Sequence, residues 1–348
     1  MTCILNLGGT YLVAALRARG HRVFSAGLDR GCDMFLKHPL PARTLLARLE
    51  ADGVRPDAAL YADNGNLPFV IGMESLPFPS MFYSIDTFCN PWHVPFAAAF
   101  DLVFVAQKDY VPLFRREGYE SRWLPLFFTR RPDCGAQDPA LFARRDVPVA
   151  FVGTLRPRNI PDRLPFLQRF RKAHPLVFMQ GDYAPLFSRA RIVLNQTAAS
   201  EVNFRCFEAM SFGAALLMEQ CANGLEELFT PGETILPVYP RGDAGAAAAI
   251  AEQWLARPDR LAAVARAGQE LVLERHGPDQ RAGEVADAAA NLVAGRAHLA
   301  RIQDMTRRRH IVSTAYGIIG AELVDPEKAR LREFFLALHA DHAPDRTV

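Results

Sequence analysis

Short apolar runs alternate with amphipathic stretches along most of this chain, and this alternation constrains the fold more than any other feature. Apolar runs bounded by glycine or polar turns predict buried strands, and the stretches between them predict helices. This alternation is typical of α/β proteins with parallel sheets. From Ala244 onward the pattern is almost entirely helical, and it ends in a helix around Pro326–Ala340. The predicted strands are Cys3–Leu7, Val23–Ala26, Ala58–Ala62, Ser80–Ile85, Leu102–Ala106, Arg122–Phe127, Val149–Gly153, Val177–Gln180, Ile192–Asn195, Ala214–Met218 and Thr234–Val238.

The length and one polar segment predict two domains. The chain has 348 residues, and single hydrophobic cores rarely grow beyond about 250–300 residues. Thr129–Pro148 is polar, contains prolines and lacks sustained periodicity, which is typical of an interdomain linker. The predicted boundaries are 1–130 for the first domain, 131–148 for the linker, 149–300 for the second domain and 301–348 for a helical tail.

Charge and cysteine usage exclude several classes of function. The net charge is +2 with both signs interspersed, so no general attraction to nucleic acid or to an anionic membrane is expected. The six cysteines contain no CxxC pair, which favours reduced thiols over a disulfide framework or a zinc site. No apolar stretch approaches the ~18 residues that span a bilayer. These features predict a cytoplasmic protein without a transmembrane segment.

The segment RCFEAMSFGAALLME carries the first candidate site. Arg205 and Glu208 are three residues apart in a helical pattern and therefore share one face of the helix. Gly213 ends this helix before the next predicted strand. A carboxylate at this place can accept hydrogen bonds from ribose hydroxyls, and a guanidinium can offset diphosphate charge. The alternative is an ordinary surface ion pair.

Two glycine-containing turns follow predicted strands. Gly8 and Gly9 open a helix, so their N–H groups are candidates to face an anion on the acceptor side, although a tight strand–helix turn is favoured. The chain has no GxGxxG, no acidic residue at the end of the second strand and no GxxxxGK[ST]. A nicotinamide cofactor and P-loop chemistry are therefore not expected.

The second turn, FVGTLRPRN, delivers candidates for diphosphate binding at the end of a strand. Backbone N–H groups and fork-shaped guanidinium groups both bind phosphate oxygens well. A solvated basic loop is the alternative. The candidates are Gly153, Thr154, Arg156 and Arg158.

Several segments together resemble a known family. The run from Val149 to about Ala290 is similar to the donor-binding domain of GT-B glycosyltransferases, in the CgeB-like (spore-maturation-type) branch related to family 4. The amino-terminal half resembles the matching acceptor domain more loosely, through NLGGTYLVAALRARGHRV, PSMFYSIDTFCNPWH and DLVFVAQKDYVPLFRREG. The segments that carry the donor-side resemblance are FVGTLRPRN at Phe151–Asn159, YAPLFSRARIVLNQT at Tyr183–Thr197, NFRCFEAMSFGAALLME at Asn203–Glu219 and NGLEELFTPGE at Asn223–Glu233.

The resemblance implies a fold and an activity. The fold would be GT-B-like, with two Rossmann-type domains facing a cleft and C-terminal helices crossing back to the first domain. The activity would be transfer of a sugar from a nucleotide-diphosphate sugar to an acceptor without a catalytic metal. Independently, the sequence contains no D-x-D pair, the usual carboxylate cradle for a metal–diphosphate complex.

The resemblance also implies residue roles on the donor side. Glu208 would bind the ribose, Arg205 would bind or orient the donor phosphate, and Tyr183 would stack on the base, with core packing as its alternative. Family 4 enzymes carry two glutamates eight positions apart, but here Ser200 lies eight before Glu208 and Glu201 is one place off. Retention or inversion is therefore not predicted. Further donor-contact candidates are Asn195, Thr197, Gly224, Glu226 and Glu227, with helix capping as the alternative for the two glutamates.

An inverting reaction also needs a base on the acceptor hydroxyl. Asp86 and His93 follow a predicted strand in SIDTFCNPWH and are the candidates, together with Arg205, for the catalytic residues. The alternatives are a turn or cap for Asp86 and packing for His93. Asp63 and Asn64, after another strand, are weaker cleft candidates.

The tail contains a basic cluster and an apolar stripe. Thr306–His310, TRRRH, is a candidate for weak phosphate or membrane-surface contact, although a solvated helix face is favoured. The stripe favours core packing over a homodimer surface. It consists of Leu331, Phe334, Phe335 and Leu338.

The sequence thus predicts a metal-independent glycosyltransferase of the hexosyltransferase type (EC 2.4). It would need no cofactor beyond a UDP-, GDP- or dTDP-linked donor sugar. The acceptor would be a glycan, a lipid-linked glycan or a protein. A sugar-nucleotide epimerase on the same fold and a non-catalytic nucleotide-sugar-binding subunit are the alternatives. The sequence leaves open the donor sugar and base, the acceptor, the stereochemistry and the oligomeric state.

Overall fold

The computed structural model describes residues 1–131, 139–155 and 161–341. The chain divides into two compact units. Unit 1 comprises Met1–Leu124 and the residues from Arg281 onward, and unit 2 comprises Pro125–Gln280. Within the described residues, no helix is both long and apolar enough to cross a bilayer.

The secondary structure follows the predicted alternation of strands and helices. The strands are β1 Cys3–Gly8, β2 Arg22–Gly27, β3 Met34–Phe35, β4 Leu40–Pro41, β5 Ala58–Ala62, β6 Val70–Ile71, β7 Ser80–Ser84, β8 Leu102–Val105, β9 Ser121–Trp123, β10 Val147–Val152, β11 Val177–Met179, β12 Ala190–Asn195 and β13 Ala215–Met218. The helices are α1 Val13–Ala18, α2 Ala42–Ala51, α3 His93–Phe96, α4 Val111–Arg116, α5 Pro139–Ala143, α6 Arg163–Ala173, α7 Ala184–Phe187, α8 Phe204–Ser211, α9 Leu225–Leu228, α10 Ala244–Leu255, α11 Pro258–Arg275, α12 Pro278–Ala294, α13 His298–Gln303, α14 Met305–Glu322 and α15 Ala329–Ala340.

Two strand predictions need correction, and proline explains both. The strand predicted at Arg122–Phe127 ends at Trp123, because Pro125 has no N–H to donate to a ladder. The strand predicted at Thr234–Val238 is absent from the described structure, where Ile235 forms an isolated bridge with Pro231 and the Leu236 N–H donates to the carbonyl of Leu216. Its Pro237 interrupts the run in the same way.

Unit 1 is built on a parallel sheet in the order β3-β2-β1-β5-β7-β8-β9. Every residue of β5, β7 and β8 is buried, which is the pattern of a sheet covered on both faces. The carboxyl ends of β1, β5 and β7 therefore lie side by side at one edge. The short strands β4 and β6 pair separately.

The last helices complete the core of unit 1. Side chains of α14 and α15, including Ile319 and Phe335, belong to the same buried cluster as Phe82. The expectation that the C-terminal helices return to the first domain is thereby confirmed. The apolar stripe contributes Phe335 to this core, with Leu331 and Leu338 packed against it and Phe334 exposed.

The division between the units differs from the predicted boundary at residue 300. The observed division falls between Gln280 and Arg281, inside helix α12, and the residues from Arg281 onward group with unit 1. Arg281 is close enough to Tyr83 to interact electrostatically, and Gly283 lies against the guanidinium of Arg19. The predicted linker at 131–148 contains α5 and the start of β10, and its residues 132–138 lie outside the described structure.

The basic cluster of the tail is used inside unit 1. Arg308 donates to the carbonyls of Ala98 and Phe100, and Arg309 pairs with buried Glu74 at 3.0 Å. These two arginines fasten α14 to the unit. The contacts do not favour the phosphate or membrane-surface role predicted for them.

Arg301 is the strongest single connection between the tail and the rest of unit 1. Its side chain is fully buried, and its Nε lies 3.0 Å from Oδ1 of Asp101, which is itself buried. The planar guanidinium donates several hydrogen bonds to the carbonyl groups of one loop. Without Arg301 these buried carbonyls would lack a donor. Its remaining bonds go to the carbonyls of Met73, Glu74, Leu76 and Phe78.

Arg301→Met should lower the free energy of unfolding by about 3–5 kcal/mol, because it leaves the Asp101 charge and several carbonyls buried without a donor. Urea unfolding of the full chain measures this loss. Arg307→Ala is the matched control, since the Arg307 side chain is 76% exposed and its removal should cost less than about 0.5 kcal/mol. Similar losses in the two variants would contradict the assignment.

Candidate functional site

The candidate donor site lies in unit 2, where β10, β12 and β13 end. The sheet order is β11-β10-β12-β13 with parallel pairing, so the loops after these strands share one edge. Ligands of open parallel α/β sheets bind outside the carboxyl ends of the strands. The core beneath is apolar, with Phe151, Leu194 and Leu217 fully buried.

Arg205 is anchored at this edge. It lies in the first turn of α8, where its Nε donates to the carbonyl of Val152 (2.7 Å) and its Nη1 to Oδ1 of Asn195 (2.6 Å). The guanidinium carbon lies over the ring of Phe151, 4.6 Å from its centre. Gly153 is required here, because a Cβ at that position would collide with Nη2 of Arg205. Burial lowers the pKa of Arg205 from its usual range, but it remains a cation at neutral pH.

Arg163, which the sequence did not single out, lies at the same edge of the sheet, with its guanidinium carbon 5.7 Å from the centre of the Phe151 ring. It donates to the carbonyls of Thr154 and Gln196 and to the Gln196 side chain, at 3.1 Å each. Burial, with a smaller contribution from the Arg205 charge, lowers the pKa of Arg163 to about 10. Arg163 therefore fixes the loops after β10 and β12. Arg156 and Arg158, predicted for the first of these loops, lie outside the described residues.

Asn195 and Thr197 are buried and bonded within the protein. The Asn195 side chain accepts a hydrogen bond from Arg205, and its backbone carbonyl accepts one from the Tyr239 hydroxyl (2.6 Å). The backbone N–H and the hydroxyl of Thr197 both donate to Glu219. These contacts favour a role in shaping the loop over the predicted direct donor contact.

The loop after β12 also explains the missing glutamate partner. Ser200 has φ +64°, and its hydroxyl accepts a hydrogen bond from Arg241 (2.9 Å). The Glu201 carboxylate turns into the loop and accepts from the N–H groups of Ala198 (2.8 Å) and Ala199 (2.7 Å). These contacts commit the Glu201 carboxylate to the backbone and favour a role in shaping the loop over contact with a sugar.

Glu208 lies one turn after Arg205 on α8, and Tyr183 lies beside it. Burial raises the pKa of Glu208, while Arg205, the Tyr183 hydroxyl and Arg131 act in the opposite direction. The Tyr183 ring packs against Phe187, with 5.3 Å between ring centres, and Arg131 covers it. These contacts do not favour the predicted stacking of Tyr183 on a base.

The loop before α9 adjoins this site. Gly224 has φ +79° and precedes α9 directly, a conformation that favours glycine. The neighbouring Asn223 side chain donates to the carbonyl of Ser200 (2.8 Å), which ties the two loops together. Glu226 and Glu227 are exposed in the first turn of α9, where a carboxylate interacts favourably with the helix dipole.

In unit 1, the turn after β1 is structural. Gly8 has φ +84°, and a Cβ there would collide with the carbonyl oxygen of Ala62. The Gly9 N–H donates to the same oxygen at 2.9 Å. This N–H is therefore not available to bind an anion, which favours the tight-turn alternative over the predicted ligand contact.

A polar cluster occupies the carboxyl ends of β5 and β7. Oδ2 of Asp63 accepts from the Asp86 N–H (3.0 Å), and Oδ1 accepts from the Gly65 N–H (2.9 Å). Asp63 is buried, whereas Asp86 is half-buried. Burial, followed by the charges of Asp63 and Asp86, raises the pKa of Tyr11 to about 12. Asn64 instead accepts from a neighbouring N–H in its own turn.

His93 lies in the same cluster but is fully buried. Its Nδ1 is 2.8 Å from the Ser84 hydroxyl, and its Nε2 is 3.8 Å from Oδ2 of Asp63. Burial lowers the pKa of His93 to about 4, against a weaker opposing effect of Asp63. The imidazole is thus neutral at pH 7, but it is enclosed and, with this lowered pKa, only weakly basic, which does not favour its predicted role as base and favours packing.

Comparison with known protein families finds a similarity that lies mostly in unit 2. Residues 140–287, less than half of the chain, match a family described as "Glycosyl transferase-like". No curated protein sequence matches the chain at a significant level.

Solved structures extend the similarity to most of the chain. HepE from Anabaena, in complex with UDP and glucose, gives a TM-score of 0.58 at 14% identity over 84% of this chain and 100% of that chain. Sucrose-phosphate synthase from Thermosynechococcus elongatus gives 0.58 at 15% identity over 85% and 100%. A glycosyltransferase from Rickettsia africae gives 0.57 at 9% identity over 84% and 98%. The chain therefore has a GT-B-like α/β fold with two Rossmann-like domains.

Gly153→Ala should displace the Arg205 guanidinium and lower the free energy of unfolding by about 1–3 kcal/mol, the usual cost of overpacking. Gly245→Ala is the control, since Gly245 lies in α10, where an added Cβ would lie 3.4 Å from Oδ1 of Asp243, an ordinary contact, and alanine favours the helix. Urea unfolding measures the stability of both variants. Equal stability of Gly153→Ala and Gly245→Ala would contradict the close approach of Arg205 to Gly153.

His93→Gln should reduce the loss in the free energy of unfolding that the wild type shows as the pH falls from about 6.5 to about 4. The unfolded chain binds a proton at His93 below a pKa of about 6.5, whereas the folded chain binds it only below about 4. Between these values the unfolded state holds more protons, so stability falls as the pH falls, by about 3 kcal/mol in all. Urea unfolding at several pH values in this window measures the slope, and parallel slopes for the two proteins would exclude the contribution of His93.

Proposed function

We propose that this protein is a glycosyltransferase that moves a sugar from a nucleotide-diphosphate sugar to an acceptor. The observation that carries the proposal is the pairing of anchored Arg205 with half-buried Glu208 at the carboxyl edge of the unit 2 sheet. This pair lies inside the glycosyl transferase-like segment. Placement in the CgeB-like branch related to family 4 remains a prediction.

A UDP-linked hexose is the proposed donor class. The HepE structures contain UDP with glucose, or UDP-glucose. In this chain, the Glu208 carboxylate would accept hydrogen bonds from the ribose hydroxyls. A carboxylate is suited to this task because it only accepts, and hydrogen bonds to a charged acceptor are the stronger kind.

Leaving-group stabilisation falls to the protein's own cations in this proposal. As the glycosidic bond breaks, negative charge grows on the departing diphosphate, and fixed positive groups in a water-poor site stabilise it most. Arg205 is already fixed by Val152 and Asn195, so it needs no reorganisation when the charge develops. Independence from a metal is part of the proposal, and an assay in the presence of EDTA tests it.

Asp86 is the proposed base for the acceptor hydroxyl if the reaction inverts. It is half-buried, its backbone is held by Asp63, and its carbonyl accepts from Asn90 (3.0 Å). A positioned carboxylate within hydrogen-bond reach of a hydroxyl can take its proton during attack. His93 is not included, because it is enclosed and its lowered pKa makes it a weak base.

Nucleotide binding is the first test. UDP at about 100 times its dissociation constant should add about 2.7 kcal/mol to the free energy of unfolding, which raises the melting temperature. Glu208→Gln and Arg205→Lys should abolish or reduce this rise, whereas Arg169→Ala, on the exposed face of α6, should retain it. The screen should include GDP, dTDP, CMP and NAD, all with EDTA present. A shift with NAD alone, or with no nucleotide, would refute the proposal.

Product analysis separates the proposal from its alternatives. Incubation with UDP-glucose should release UDP and either free sugar or a glycosylated acceptor, as followed by NMR. Conversion of the donor sugar to its epimer without UDP release would identify the epimerase alternative. Tight donor binding with neither product would identify the non-catalytic binding subunit.

A further inference from the structure

Arg145 lies just before β10 and connects three other elements of unit 2. Its Nη1 donates to the carbonyls of Phe187 (2.9 Å) and Ala190 (2.6 Å), and its Nη2 donates to the carbonyl of Phe212. These carbonyls belong to the last residue of α7, the first residue of β12 and the residue that follows α8. Arg145 falls in the predicted linker, and no sequence pattern singled it out.

The backbone and the guanidinium of Arg145 are both held in place. Its carbonyl accepts from Nε of Arg191 in β12 (2.9 Å), and its guanidinium carbon lies 5.5 Å from the centre of the Phe142 ring. Burial lowers the pKa of Arg145 to about 10, so the side chain remains a cation at pH 7. A cation interacts favourably with the carboxyl end of a helix, where the last carbonyls have no partner within the helix.

The carboxyl end of α8 is also held from a second side. Nε2 of Gln269 donates to the carbonyl of Ser211, the last residue of the helix (3.1 Å). Gly213 has φ +70°, and a Cβ there would lie 3.2 Å from Nη2 of Arg145 and 3.0 Å from Oε1 of Gln269. Glycine at this position therefore ends the helix and leaves room for the two side chains that bond to it.

Helix α8 and strand β12 are thus joined by an arginine at each end. At one end, Arg205 in the first turn of α8 donates to Asn195, the last residue of β12. At the other end, Arg145 donates to Ala190, the first residue of β12, and to the carbonyl that follows α8. A shift of the helix along or across the strand must therefore break hydrogen bonds at one end or at both.

Glu208 lies between these two fixed ends, three residues after Arg205 and four before Phe212. If the helix were fixed at Arg205 alone, its second half could pivot about that end and carry the Glu208 carboxylate with it. Hydrogen bonds weaken steeply when their distance or angle departs from the optimum. Small displacements of α8 would therefore weaken any bond from Glu208 to a ligand.

We propose that Arg145 is a positioning residue of the donor site, which fixes the far end of α8 and thereby orients Glu208 toward the ribose hydroxyls. The inference rests on the proposed function, in which Glu208 binds the ribose. The bonds of Arg145 lie where β10 and β12 begin, whereas the donor would bind where these strands end. An effect of Arg145 on donor binding is therefore transmitted through α8.

Arg145→Lys in the full chain is the test, with UDP binding measured by calorimetry well below the melting temperature. Lysine keeps the charge but lacks the planar fork that donates to three carbonyls at once. UDP affinity should fall about fivefold, as expected when hydrogen bonds to a charged group are partly lost. Arg145→Met, which removes all the bonds, should bind UDP more weakly still, and the lysine variant suffices if the methionine variant does not fold.

Two controls separate position from charge and from stability. Arg189→Ala removes a neighbouring arginine whose side chain is 59% exposed and pairs with Asp146, so UDP affinity should equal that of the wild type. Trp254→Phe alters the core at α10. It should lower the free energy of unfolding and leave the UDP affinity of the folded protein unchanged.

A ligand cycle then locates the effect at Glu208. In the wild type, 2′-deoxy-UDP should bind more weakly than UDP, and this penalty should shrink in Arg145→Lys because both changes act on the same bond. A purely structural role would reduce stability and leave the penalty unchanged.

The outcomes distinguish this inference from the proposed function. Unchanged UDP affinity, or an unchanged 2′-deoxy penalty, in folded Arg145→Lys would overturn the positioning role alone. A wild type that binds UDP without any 2′-deoxy penalty would overturn the ribose role of Glu208 and this inference with it. Failure of the wild type to bind any nucleoside diphosphate would overturn the proposed function as well.

Discussion

The geometry of the donor side depends on the anchoring of one guanidinium. Arg205 satisfies the Val152 carbonyl and the Asn195 side chain at once, and so joins the ends of β10 and β12 to the first turn of α8. Because α8 is anchored through Arg205, the register of the helix then fixes Glu208 one turn later. The absence of a side chain at Gly153 makes the close approach possible. Backbone geometry and the anchored cations Arg205 and Arg163 therefore shape this edge of unit 2.

Much of the fold was predictable because the central strands are buried on both faces. Such strands consist of continuous apolar runs, as in SMFYS and LVFV, and their limits were predicted to within about one residue. The failure at Thr234–Val238 has the opposite cause. Ile235 and Leu236 are indeed buried, but burial alone does not make a strand when Pro237 interrupts the pairing.

The site was less predictable, because its contacts join residues far apart in sequence. Arg205 and Glu208 were found because helical spacing places them on one face. Arg163 lies in the charged run RLPFLQRFRK, which is typical of a solvated helix, and only the fold brings it to Gln196. His93 and Asp86 were both candidates in SIDTFCNPWH, with Asp86 favoured, and the structure encloses the first and leaves the second half-buried. Sequence spacing shows which side chains share one face of a helix. Whether a side chain is accessible depends on the packing of the folded core.

The buried connection made by Arg301 has a consequence for the order in which the chain is assembled during synthesis. Unit 2 is one contiguous segment, but unit 1 combines the first and last parts of the chain. The bonds from Arg301 reach back 200 residues to Asp101, and 223 to 228 residues to the loop before β7. A ribosome therefore releases the complete sequence of unit 2 before the helices that finish unit 1. Until those helices arrive, the nascent amino-terminal sheet exposes apolar surface that the mature protein covers.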